Sequence, residues 1–450
     1  MGLRESCRKE QRTGLVHTDR EIWRLAVPAF LALVAEPLFL LADSAIVGHL
    51  GTDPLAGLGI AGVILQTVVG LCVFLAYGTT ASVARRIGAG DRRGALTQGI
   101  DGLWLAVVIG VVVTLPVLLA AGPLCRAVGA EGPVLDQATT YLRIAVLGVT
   151  PLLLLLAGNG VLRGLQDTRT PLVVAVSGNL ANIALNVLFV PILGFGIAGS
   201  ALGSVIAQVA SAVALVVVVV RGARRHGASL RPDTAGIRAA GRAAVPLVVR
   251  TLTLRASLLV TTYAVTVIPH ASSATDLATH QVAFTLWTFL AFVLDAIAIA
   301  AQALTGRALG EGDRAATRRL TTRMIWWGVW SGVVLGLALA LLSPVLGRLF
   351  SADPDVRTAL IPVLLVAALS QPICGVVFVL DGVLIGAGDG RYLAWGGLLT
   401  LAVYAPVVAL WHPGLVQIWI AFSALFMGMR FVVLTWRARG ETWMRVGLTA

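Results

Sequence analysis

The chain reads as an all-α polytopic membrane protein, with twelve transmembrane helices arranged as two pseudo-symmetric six-helix lobes. Three observations predict this. The 450 residues are 58% hydrophobic and only 12% charged, with a mean hydropathy of +0.90, where a soluble globular chain is about 45–50% apolar and about 25% charged. Apolar runs long enough to cross a bilayer, roughly 20 residues each, recur twelve times. Two stretches of the first half also return in the second at one fixed offset. Composition alone excludes a soluble enzyme, a disordered chain and a disulfide scaffold.

The expected spans fall near 25–48, 57–79, 100–122, 138–157, 171–194, 197–220, 246–268, 279–304, 324–347, 359–386, 393–411 and 416–436. The first 20 residues are polar and basic, and no apolar run begins before Ile22. A signal peptide needs its apolar stretch earlier, so residues 1–24 read as a cytoplasmic tail. An N-terminal lobe then covers 25–220, a cytoplasmic linker 221–245, a C-terminal lobe 246–436 and a cytoplasmic tail 437–450. The linker begins RGARRHGASLRPDTAGIRAAGR at Arg221. It is basic, rich in Gly and Ala, and free of apolar runs.

The net charge of +12 comes from 33 Arg and one Lys, Lys9, against 22 acids. On a soluble domain that balance would suggest nucleic acid. Here the basic residues fall in the gaps between apolar runs, as the positive-inside rule requires, and no nucleic-acid partner is expected. With both termini in the cytoplasm, 28 of the 34 basic residues lie on the inner side. Arg126, Arg143, Arg348 and Arg357 lie outside, and Arg250 and Arg255 lie within span seven. The Arg-dominated basic content suggests a GC-rich bacterial genome, hence a multi-pass protein of the cytoplasmic membrane. Cys7, Cys72, Cys125 and Cys374 are far apart, with no CxxC and no His/Cys grouping at metal spacing. No metal or cofactor is expected.

ARRIGAGDRRGA from Ala84 returns as GRALGEGDRAAT from Gly306, an offset of 222. GVLRGLQDTR from Gly160 returns as GVLIGAGDGR from Gly382 at the same offset. Six spans per repeat is an even number, so both copies enter the membrane from one side. That is the parallel-repeat architecture of some secondary transporters, which rock one lobe against the other around a site near the midplane. The aspartates of these turns, Asp91, Asp313, Asp167 and Asp389, are expected to cap helices and form salt bridges. The G-x-x-x-G pairs at 160/164, 199/203, 332/336 and 382/386 are close-packing signals.

EPLFLLADSAIVGHLGTDPLAGLGIA from Glu36 closely resembles the first span of the multidrug and toxic compound extrusion (MATE) transporters, particularly the DinF-like branch. LATHQVAFTLWTFLAFVLDAIAIAAQALTGRALGEGD from Leu277 is similar to the seventh-to-eighth-span region of that branch. The resemblance covers most of both halves. It implies a V-shaped, two-lobed exporter of the MATE/MOP type that exchanges protons or sodium for small organic, often cationic, compounds. The expected activity is multidrug efflux by proton antiport in a monomer within the lipid bilayer, with a sodium-coupled antiporter or a related lipid or oligosaccharide flippase as alternatives.

Independently of the family, charges at membrane depth mark function. Each costs about 2.5–3.5 kcal/mol at a helix centre, so the six in this chain would together cost on the order of 15–20 kcal/mol facing lipid. They are Glu36, Asp43, Asp295, Asp381, Arg250 and Arg255. Asp43 is the first candidate for ion coupling. It lies seven residues after Glu36, on the same face of span one, in a helix that Pro28 and Pro37 should bend by removing backbone donors. A proton taken up from outside and released inside would weaken its hold on a cationic substrate. Asn179, Asn182 and Asn186 share one face of span five and should look into the same lobe. Many members of the family that this chain resembles carry Asp where Asn186 stands, which leaves proton transfer to Asp43 and Glu36. In the second lobe Asp295 and Gln302 share a face of span eight and Asp381 lies on span ten, with Arg250 and Arg255 as their expected partners. His280 and Gln281 open span eight near the outer surface, and His280 reads first as a capping or interfacial residue.

A major-facilitator transporter would carry G-x-x-x-D-R/K-x-G-R/K-R/K between spans two and three, which GAGDRRGA matches only in part. A flippase would want a more cationic cavity than two arginines provide. An intramembrane enzyme or an ATPase is not expected. The chain has no HExxH, no G-x-S-x-G, no pair of histidines in helical register and no Walker A motif.

Overall fold

The computed structural model describes the backbone of residues 2–268, 273–351, 353–411 and 414–447 and, within these, every side chain except those of 2–17, Glu36, Phe39 and Ser273. Among the described residues, twelve helices are long and apolar enough to cross a membrane. Spans one to six are Thr18–Gly48, Thr52–Gly88, Arg92–Leu119, Gly132–Gly164, Arg169–Ile192 and Gly196–Arg225. Spans seven to twelve are Thr234–Thr266, Ala274–Gly310, Arg314–Phe350, Pro354–Gly386, Gly390–Leu410 and Leu415–Arg439. Each expected span is matched, and most helices run on past their apolar run into the polar turns. Pro28 and Pro37 both sit inside span one without interrupting it.

The chain forms two compact units. One is Leu31–Val245, and the other starts at Pro246 and also takes in the opening residues as far as Phe30. Span one therefore begins in the second unit and ends in the first, and Pro28 belongs to the second unit instead of the N-terminal lobe. Polar anchors explain the assignment. Arg323 of span nine donates to both carboxylate oxygens of Asp19, at 2.7 and 2.6 Å, and the Trp327 indole donates to the same group at 2.9 Å. Trp23 then packs edge-to-face on Trp327 with centroids 5.6 Å apart. A bidentate Arg–carboxylate pair is both strong and geometrically specific.

The linker is shorter and better anchored than its composition suggests. Span six continues to Arg225 and span seven starts at Thr234. Between them the Leu230 carbonyl accepts from the Trp104 indole at 3.2 Å, and the Asp233 amide donates to Asp101 at 3.4 Å. Asp101 is buried on span three, toward the end that meets the linker, so a buried acid serves to pin it.

The repeat is written in the packing. A Cβ added to Gly160 or Gly164 would come within 3.0 Å of the carbonyl oxygens of Ala76 and Thr80. In the second unit Gly382 and Gly386 stand in the same relation to the carbonyls of Ala298 and Gln302. All four residues and all four partners are offset by 222. Only glycine allows two helix backbones to approach this closely.

The turns repeat as well. Gly90 and Gly312 adopt φ of 78° and 82°, left-handed values that glycine takes without steric cost. The following aspartates then cap the next helix. Asp91 accepts from the Gly94 amide and Asp313 from the Ala316 amide, both at 2.8 Å. Gly388 has φ of 78°, and its counterpart Gln166, at 63°, is the one non-glycine with positive φ among the described residues.

Candidate functional site

In the first unit, Val47, Leu58, Ala61, Leu142 and Ile197 belong to a buried cluster that locks spans one, two, four and six together. One helical turn before Val47, the Asp43 carboxylate is buried, with 3% of its surface exposed. Its Oδ1 accepts from Asn186 Nδ2 at 2.7 Å and from Ser200 Oγ at 2.6 Å. The Tyr141 hydroxyl from span four lies near the same carboxyl and near Ser200 and Ser204. Asn182 extends the network by donating to Ser204 Oγ at 3.1 Å. Gly203 lets span six close on Asn186, since a Cβ there would lie 2.5 Å from Asn186 Oδ1. That oxygen has no protein partner. Among the described residues, no cation pairs with Asp43.

Asn186 of span five thus meets Asp43 directly, while Asn182 meets Ser204, one turn beyond Ser200 on span six. Asn179 instead ties span five to span one, donating to the Ala35 carbonyl at 2.9 Å, two residues before Pro37. The side chain of Glu36 lies outside the described residues.

The second unit buries Asp381, with 5% of its surface exposed, against two guanidinium groups. Arg250 donates through Nε at 3.2 Å and also through Nη2. Arg430 of span twelve donates to the same carboxylate and stacks on Phe426, 5.6 Å from the ring centroid. A cavity of about 20 Å³ adjoins the cluster, room for one water. Arg250 is thus a partner of Asp381, as expected. Arg255 is exposed and not in the pair, because span seven turns it away from Arg250, five residues earlier. Asp295 is half-buried and Gln302 buried.

His280 is not a surface cap. It is buried, with Nε2 3.2 Å from the Thr262 hydroxyl, and packs against Phe284 and Trp419 at 5.7 and 5.8 Å. Trp419 of span twelve packs on the inward-facing ring, while adjacent Gln281 faces out.

Four contributors escape a reading of the sequence: Tyr141, Ser200, Ser204 and Arg430. The two serines sit four apart on one face of span six, a visible signal. The positive-inside pattern assigns Arg430 to the inner basic residues, although it falls inside the last apolar run.

Twelve membrane-crossing helices in two units with a shared packing plan, and carboxylates buried in both, define a polytopic carrier rather than a soluble catalyst. The chain belongs to the MatE family, whose model matches residues 28–188 and 246–410. It is 30% identical over 449 residues to Protein DETOXIFICATION 44, chloroplastic, of Arabidopsis thaliana, covering 95% of this chain and 84% of that one. It is 29% identical over 448 residues to DNA damage-inducible protein F of Escherichia coli K12, covering 95% of both, which agrees with the DinF-like branch. The fold matches an outward-facing multidrug resistance MATE family transporter of the MOP superfamily at a TM-score of 0.85 and 23% identity, over 95% of this chain and 97% of that one. This is a multi-pass membrane transporter of the multidrug and toxic compound extrusion family.

Proposed function

We propose that the chain is a secondary active multidrug efflux antiporter that exports small organic, often cationic, compounds in exchange for protons by alternating access. The observation that carries this reading is the shell of Asp43. Each partner there is neutral and can reorient: hydroxyls rotate to donate or accept, and the Asn186 amide holds an unused oxygen. Such a shell serves a carboxylate and a carboxylic acid alike, so a proton can arrive or leave without breaking an ion pair. The ionised form attracts a cationic substrate and the protonated form releases it. No cofactor beyond the coupling ion enters this scheme.

The protein works as a monomer, without a nucleic-acid partner, in a bacterial cytoplasmic membrane with both termini inside. Moving Arg430 into the membrane leaves 27 inner basic residues against four outer ones, and the orientation is unchanged.

Uptake of a fluorescent organic cation into inverted vesicles tests the proposal, with the pH and sodium gradients collapsed separately. Loss of uptake on collapse of the pH gradient alone is expected. Loss only on collapse of the sodium gradient would replace the proton with sodium.

A further inference from the structure

In the second unit a cavity of about 660 Å³ opens between spans nine, ten and twelve, and Trp443, beyond the end of span twelve, forms part of its wall. Its lining is graded. Arg318 and Arg439 border it near the first residues of span nine and at the last residue of span twelve. Farther along the same helices the wall becomes apolar, through Val329 and Phe431, and span ten contributes Val376.

The dimensions fit one leaflet. At 1.5 Å per residue, Arg318 to Val329 extends roughly 16 Å and Arg439 to Phe431 roughly 12 Å. Half of a bilayer's hydrocarbon core is about 15 Å. The guanidinium groups therefore lie at headgroup depth and the apolar walls at acyl-chain depth. Both charges are available. Among the described residues Arg318 pairs only with Glu441, at 3.2 Å with each side chain more than half exposed, a contact worth little. Arg439 is exposed. Two arginines at the mouth repel an organic cation, so the cargo of the proposed efflux does not suit this groove.

We propose that the groove holds an anionic phospholipid of the surrounding bilayer, its phosphate between Arg318 and Arg439 and one acyl chain between spans nine, ten and twelve. Basic pockets between transmembrane helices are where anionic headgroups bind. The lipid would stiffen the polar end of these helices, where the Asp19–Arg323 anchor also lies.

Native mass spectrometry of the full chain tests this after equilibration in micelles holding equal phosphatidylglycerol and phosphatidylcholine of matched chains. One retained phosphatidylglycerol is expected, preferred by about thirtyfold if both arginines contribute. Arg318→Gln with Arg439→Gln should bring the preference toward parity, and the double Lys variant should restore it. Val329→Trp, which fills the deep end, should lower retention with both charges present. A melting temperature in lipid-free detergent checks that the variants fold. Equal retention of the two lipids by the native chain, which needs no variant, overturns the proposal. So does a preference spread over many bound lipids and untouched by the Gln variants.

Discussion

Asp43 and Asp381 are buried almost equally, 3% and 5% exposed, in two units that share one packing plan, yet they are held in opposite ways. Asp43 is met by an amide and hydroxyls that can turn around. Asp381 is met by two guanidinium groups that only donate, so its cluster is built for a carboxylate alone. At the repeat offset Asp43 falls opposite Val265, Asp381 opposite Asn159 and Arg430 opposite Gln208. Equal burial therefore carries different meanings: one carboxyl is held by neutral partners that suit either protonation state, and the other is clamped between two cations.

The sharpest way to break this contrast is Asp43→Asn. It should abolish efflux in the vesicle assay while the protein still reaches the membrane, and full efflux in that variant would remove Asp43 from the mechanism. Asp381→Asn should act on stability. Leaving buried charges uncompensated costs about 3–5 kcal/mol, visible as a lower melting temperature in detergent. An unchanged melting temperature with transport lost would place the cluster in the transport machinery and erase the distinction.

Smaller effects sharpen the likeness between the units. Asp91→Ala and Asp313→Ala each remove an N-cap and should cost about 1 kcal/mol, read as matched falls in melting temperature. The Gly94 amide, followed by Arg86, holds the Asp91 carboxyl below its ordinary range despite partial desolvation. Its contribution is thus complete above the unfolded value of about 3.9 and fades as pH drops through the lower folded value. The Asp91→Ala deficit should shrink in acid accordingly. Gln166→Gly relieves a left-handed backbone that its counterpart Gly388 adopts freely, and should raise stability by about 0.5–1 kcal/mol in the same melts.

Much of this was legible in the residues. Hydropathy located twelve spans because lipid leaves a helix few polar options. Helical spacing placed Asn182 and Asn186 on one face, and the face does meet Asp43. The remainder of that shell was hidden for a physical reason. Ser200 and Tyr141 come from other spans, and hydroxyls are cheap inside helices because they can bond to their own backbone, as Ser257 does with Thr253. Arg430 resembled an end-of-span residue reaching for the interface, and only a partner on span ten shows otherwise. The division of span one was invisible, because its apolar pattern runs on unbroken while the anchor at Asp19 lies 304 residues from Arg323.

The paired glycine seams carry a consequence for descent. A duplicated half retains what both copies must still do, which is to let two backbones touch, and Gly160, Gly164, Gly382 and Gly386 record that shared obligation. The polar residues record the divergence, one copy having ringed its deepest acid with neutral groups and the other with cations.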